Sequence, residues 1–78
     1  MPVYKKKDFS KLQLHAIISA NPGITTEEIL KYISYYKMPG NWYPMKISRL
    51  IKEMTYINKI IKYNKNKNAW EFLYYIDN

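Results

Sequence analysis

The sequence predicts a small α+β domain, mainly helical, in which three helices precede a C-terminal two-stranded β-hairpin. Apolar residues recur at helical spacing in three stretches up to about residue 55, separated by Pro- and Gly-containing breaks. After Asn58 the period becomes that of strands, in two runs that bracket Asn64-Lys65-Asn66-Lys67-Asn68, a turn-forming and charged segment.

In the first helix, Ser10 followed three residues later by Gln13 is a capping-box signature, and Leu14, Ile17 and Ile18 supply the inward face, with Phe9, Leu12 and Ala16 nearby. Asn21-Pro22-Gly23 is its stop. The second start is stronger: Thr25 takes the N-cap and Glu28 the N3 position, Ile24 and Ile29 are spaced for a hydrophobic staple, and Glu27 and Glu28 sit at the positive end of the helix dipole. Ile29, Leu30, Ile33 and Tyr36 make the apolar stripe of a helix running to about Lys37, which Met38-Pro39-Gly40-Asn41 breaks.

The third helix, about residues 42–55, takes Asn41 as its N-cap and tolerates Pro44 in its first turn, where a missing N–H has no partner to lose. Ile47, Leu50, Ile51 and Met54 follow the i, i+3, i+4, i+7 pattern of one buried face. Met45, Arg49, Lys52 and Tyr56 fall opposite, flanked by Trp42, Lys46, Ser48 and Glu53, so the outward side is mostly cationic. In the hairpin, Trp70, Phe72 and one face of the Tyr74-Tyr75 pair are expected to fill the core against the helices, base stacking being the alternative use of these rings. No clear strand lies between the first two helices, though Gly23-Ile24-Thr25 has room to lend a residue or two to the sheet.

A chain of 78 residues holds one domain. Residues 1–7, with the run Lys5-Lys6-Lys7, are expected as a flexible basic arm and residues 8–78 as the domain. Hydrophobic and aromatic fractions of 47% and 17% are too high for a disordered chain. The absence of cysteine removes disulfide frameworks, thiolate metal sites and thiol nucleophiles. No apolar run has the length of a membrane span, and a soluble, cytoplasmic protein without membrane contact is expected. A net charge of +7 favours a polyanionic partner, nucleic acid first and an anionic membrane surface second. Lys, Asn, Ile and Tyr make up half of the chain, a bias toward A- and T-rich codons that suits a virus, a plasmid or an AT-rich microbe.

Catalytic readings fail on inventory. His15 is the single histidine and lies among core-spaced residues, the six carboxylates are scattered, and two glycines cannot build a phosphate-cradling loop. Neither a metal site nor a cofactor is expected, and the chain is not read as an enzyme.

Over about residues 8–76 the order of elements resembles the winged helix-turn-helix family. Ile24-Thr25-Thr26-Glu27-Glu28-Ile29 looks like the start of the supporting helix, Met45 to Met54 like the recognition helix, and Tyr56-Ile57-Asn58-Lys59-Ile60-Ile61 like the passage into the wing. The link Lys37 to Tyr43 departs from the family, being longer and more aromatic than its tight turn. The resemblance implies sequence-specific binding of double-stranded DNA by a small transcriptional regulator, the third helix in the major groove and wing residues 64–68 on the backbone or minor groove.

Carried over by position, Arg49 is the base-reading candidate, with Lys46, Ser48 and Lys52 as further base or phosphate contacts, Lys65 and Lys67 on the wing, and Lys5, Lys6 and Lys7 along a neighbouring groove. Many such proteins bind as homodimers. Tyr35, Tyr36, Trp42 and Tyr43 crowd the unusual link and either pack beneath it or form a dimer or partner surface. From that cluster comes the alternative of a protein-interaction module on the same fold, such as a viral or mobile-element factor docking onto host transcription or defence machinery. RNA or replication-origin binding shares the charge argument and has no motif of its own here.

Overall fold

Helix α1 (Ser10–Ala20) buries Leu14, Ile17 and Ile18 along one side and leaves Phe9 and Leu12 exposed. The structure is a computed structural model that describes residues 9–77, so the Lys5-Lys6-Lys7 arm lies outside the described residues. The box expected from Ser10 and Gln13 does not form. Phe9 holds the cap position and its carbonyl accepts from the Gln13 N–H at 2.9 Å, which places Ser10 inside the first turn, where it is buried. At the other end the Asn21 N–H donates to the carbonyls of Ile17 (3.0 Å) and Ile18 (3.2 Å), and its side-chain amide adds a bond of 2.9 Å to Ile17.

Helix α2 (Thr26–Tyr35) begins with the capping box read from the sequence. The Glu28 N–H donates to Thr25 Oγ1 at 3.2 Å, while the Thr25 hydroxyl and N–H donate to Glu28 Oε1 at 3.0 and 3.4 Å, satisfying two otherwise orphaned backbone donors. Ile24 and Ile29 are both buried beside it. The helix stops two residues short of Lys37 in a Schellman motif: Lys37 takes the left-handed conformation (φ +50°), its N–H donates to Ser34, and the Met38 N–H reaches the Ile33 carbonyl at 3.0 Å. Tyr36 therefore leaves the apolar stripe. It is exposed, its ring packed on Tyr32 and Tyr35 at centroid distances of 4.5 and 4.9 Å.

Helix α3 (Pro44–Glu53) starts later than the sequence suggests, with Tyr43 and not Asn41 as its cap. Pro44 is the cause: its ring disfavours helical backbone in the preceding residue, and Tyr43 is extended (φ −152°, ψ 160°). Ile47, Leu50, Ile51 and Met54 are all buried, as their spacing requires.

Strands β1 (Ile57–Asn64) and β2 (Ala69–Ile76) pair antiparallel, with Ile57 opposite Ile76 and Asn64 opposite Ala69. The loop between them is a turn closed by the Asn68 N–H on the Lys65 carbonyl at 3.3 Å, with Asn68 left-handed (φ +51°) and the Asn66 N–H donating to Asn64 Oδ1 at 2.9 Å. The segment before α2 does lend to the sheet: Gly23 donates to the Tyr74 carbonyl at 2.8 Å and Tyr74 to the Ile24 carbonyl at 3.0 Å. Gly23 has φ +83°, a conformation that side-chain-bearing residues rarely adopt, and a Cβ there would lie 3.0 Å from the Tyr75 hydroxyl, close enough that the ring would have to shift slightly.

The layout is that of a winged helix, three helices with a C-terminal hairpin. Its core gathers the inward faces of the helices with Ile24, Ile57 and Tyr74. Trp70 and Phe72 do not enter that core; they are 66% and 47% exposed. The strand period assigns them correctly to the face of Tyr74, but the helices cover only the base of the hairpin, and both faces of its distal half meet solvent. Among the described residues no helix is long and apolar enough to cross a membrane.

Candidate nucleic-acid interface

The outward side of α3 is set by its inward one. With Ile47, Leu50 and Ile51 locked in the core, helical geometry turns Met45, Ser48, Arg49 and Lys52 to solvent, and all four are exposed, Met45 to 79%. Among the described residues neither Arg49 nor Lys52 has a carboxylate partner. The acid nearest on the same helix, Glu53, is held by Lys11 of α1 at 3.5 Å, and these two residues with Arg49 and Leu50 line a shallow groove between α1 and α3.

Lys46 behaves differently from its neighbours. Its ammonium donates to the Asn41 carbonyl at 3.1 Å and sits 4.7 Å from the centre of the Trp42 ring, so it ties down the link before α3. Trp42 is itself half-buried against the core, its indole N–H donating to the Pro39 carbonyl at 3.1 Å. The aromatic set of the link is thereby divided. Trp42 packs inward, Tyr43 is exposed at the helix cap, and Tyr35 and Tyr36 form a separate exposed pair at the end of α2 with Tyr32 beneath.

The two wing lysines also part company. Lys65 is exposed at the turn without a carboxylate partner among the described residues, whereas Lys67 folds back to form an ion pair with Glu27 in the first turn of α2. The hydrogen bond from Lys67, reinforced by its charge and more weakly by Lys31, holds the Glu27 carboxyl below its ordinary value; reciprocally Glu27 raises the Lys67 ammonium. Part of the cationic surface expected at the wing is thus already neutralised by the protein itself.

Sequence reasoning passed over two further cations, which the strand period places on opposite faces of the hairpin. Lys59 and Lys62 on β1 are exposed and without carboxylate partners among the described residues, Lys59 lying 5.4 Å from the centre of the Phe72 ring. The signal for them was available in the alternation of the strand, which carries no acid from Ile57 to Asn64. His15 accepts or donates a hydrogen bond with the Tyr56 hydroxyl at 3.2 Å and packs against its ring, joining α1 to the start of the hairpin. Among the described residues no group of three His, Cys, Asp or Glu side chains gathers as metal ligands. Comparison of the chain with family models, curated proteins and solved structures gives no match.

Proposed function

We propose that this protein binds double-stranded DNA in a sequence-dependent manner, as a small transcriptional regulator of the winged helix-turn-helix kind acting in the cytoplasm, with α3 in the major groove and the β1–β2 turn on the adjacent backbone. The observation that carries the reading is the outward side of α3: a core-anchored helix presents Arg49 and Lys52, uncompensated by any carboxylate among the described residues, beside Ser48 and Met45. A guanidinium there can bond both acceptors of a guanine edge, and the ammonium groups of Lys52 and Lys65 suit phosphates. No catalytic step is assigned to the chain.

Selection of bound fragments from random duplex DNA tests it. Enrichment of a short motif supports the proposal, and two-fold symmetry in that motif would report a dimer. If six to ten phosphates are contacted, affinity falls by about 10³ to 10⁵ between 50 and 200 mM salt. Retention of no fragment at low salt, or binding indifferent to salt, overturns it.

The exposed pair Tyr35 and Tyr36, the first of them 80% open, favours a second reading, a protein-interaction module. A stoichiometric protein partner that survives nuclease treatment and is lost in Tyr35→Ala would support that reading over DNA.

A further inference from the structure

The hairpin has a free edge. The Asp77 N–H donates to the Tyr56 carbonyl at 2.8 Å, which fixes the alternation of the antiparallel ladder: Asn58, Ile60 and Lys62 turn their backbone groups toward β2, and Lys59, Ile61 and Tyr63 turn theirs away. The opposite edge agrees, since Tyr74 uses its outward groups on Gly23 and Ile24. Among the described residues nothing pairs with the outward N–H and C=O groups of Lys59, Ile61 and Tyr63. The strand has neither proline nor bulge to blunt this edge.

We propose that a second copy of this chain occupies that edge, β1 pairing antiparallel with β1 about a two-fold axis at Ile61, to give a continuous four-stranded sheet. The register follows by elimination. An axis at Lys59 or at Lys62 sets two lysines directly opposite each other, an axis at Tyr63 sets Lys59 opposite Lys67 and runs past the strand end, and an axis at Ile60 carries Tyr63 to Ile57, whose N–H already donates to the Met54 carbonyl. An axis at Ile61 meets neither obstacle. It faces Lys59 with Tyr63 of the second copy, Ile60 with Lys62, and Ile61 with itself, so each outward N–H finds a carbonyl.

The same register completes an apolar row. Phe72 lies across from Ile61 within one chain, so the dimer reads Phe72, Ile61, Ile61, Phe72 across one sheet face, with Tyr63 and Trp70 beside it. With Ile61 57% open as well as Trp70 and Phe72, the hairpin exposes on the order of 400–500 Å² of apolar surface. Edge pairing covers Ile61 and the strand edges and leaves Trp70 and Phe72 on the open sheet face, so the interface is smaller than the roughly 800 Å² per partner of a standard one, and the dimer is expected at high protein concentration. Self-association through β1 is measured without nucleic acid, so its failure would leave the earlier proposal standing.

Sedimentation of the full chain at about 100 μM should give twice the 9.5 kDa chain mass. Ile61→Pro should give the single mass, because the N–H it removes points outward and the ladder to β2 is untouched. Ile61→Lys, at an exposed position, should do the same by charge repulsion alone. The native chain has no cysteine, so Ile61→Cys should cross-link on mild oxidation while Ser34→Cys, on α2, does not. Residues facing each other in such a pair lie at about 5.5 Å between Cα atoms, within disulfide reach. A native monomer at this concentration, a dimer that persists in both Ile61→Pro and Ile61→Lys, or equal cross-linking of Ser34→Cys overturns the proposal. So does a monomer whose tryptophan fluorescence is quenched by oligothymidylate, which would give the face to single-stranded nucleic acid.

Discussion

Lys67 at the tip of the hairpin pairs with Glu27 in the first turn of α2, a contact between residues forty positions apart that fastens the wing to the helical body. Glu27 also faces Lys31 one helical turn on, at 3.5 Å. One carboxylate thus pairs with two cations while lying at the positive end of its own helix.

The pair should make the order of the hairpin tip depend on pH at both ends of the scale. The Glu27 carboxyl is lowered in the folded protein, so its contribution is present above the ordinary carboxyl value of 4.5 and is lost as pH falls through the lowered one. The Lys67 ammonium is raised, so its contribution is present below 10.5 and is lost as pH rises through the raised value. Carboxyl carbon shifts should show Glu27 titrating below an ordinary glutamate, and Lys67→Ala should return it most of the way. Both groups are open to solvent, so added salt should weaken the effect.

The wing contact also separates lysines that look alike in sequence. Lys65→Ala should weaken DNA binding and lower the salt slope by about one counterion, whereas Lys67→Ala should change either quantity less, since Glu27 already neutralises that charge. Equal effects from the two substitutions would mean that DNA displaces Glu27.

On α3, Arg49→Ala should relax the preferred sequence at one position at a cost of about 1–3 kcal/mol, while Lys52→Ala should weaken binding to all sequences and reduce the salt slope by about one. Comparison of selected motifs before and after substitution is the measurement. An unchanged motif in Arg49→Ala would remove Arg49 as a base reader. Lys46→Ala should act through the helix it steadies, because its ammonium is committed to the Asn41 carbonyl and the Trp42 ring.

The parts of the fold legible in the sequence are those decided locally. The Thr25 and Glu28 box is a four-residue interaction, and the buried face of α3 follows from one period, so both stand where the residues alone place them. The start of α3 shifted because the effect of Pro44 on Tyr43 outweighed the attraction of Asn41 as a cap. Trp70 and Phe72 were assigned to the right face of the strand and the wrong environment, since a period of two says which residues share a face and nothing about how far the helices reach along it. The candidate site divides in the same way. The exposure of Arg49 and Lys52 was readable from the helix, but the withdrawal of Lys67 to Glu27 depends on the wing's approach to α2, which no local pattern encodes.

At the end of α2, Lys37 holds a left-handed conformation that glycine adopts without strain. Lys37→Gly should therefore stabilise the fold by about 0.5–1 kcal/mol, the relief of backbone strain exceeding the entropy added to the unfolded chain. Thr25→Ala at the other end should destabilise it by about 1 kcal/mol through loss of the box. Chemical denaturation of the two variants beside the native protein reads both effects, which should be opposite in sign.

The limited reach of the helices along the hairpin makes Trp70 and Tyr74 a matched pair. They lie on one face of one strand, yet Tyr74 is buried, its hydroxyl hydrogen-bonded to Thr26 at 3.0 Å, while Trp70 is mostly open and touches Tyr63 edge-on. At a concentration low enough to keep the chain monomeric, Trp70→Ala should change unfolding free energy by no more than about 0.5 kcal/mol, as for other surface substitutions. Tyr74→Ala should cost about 3–5 kcal/mol, because it opens a cavity at the junction of α2 and the sheet and strands the Thr26 hydroxyl. Urea unfolding followed by circular dichroism distinguishes them. A large loss from Trp70→Ala would mean that the distal hairpin packs against the helices.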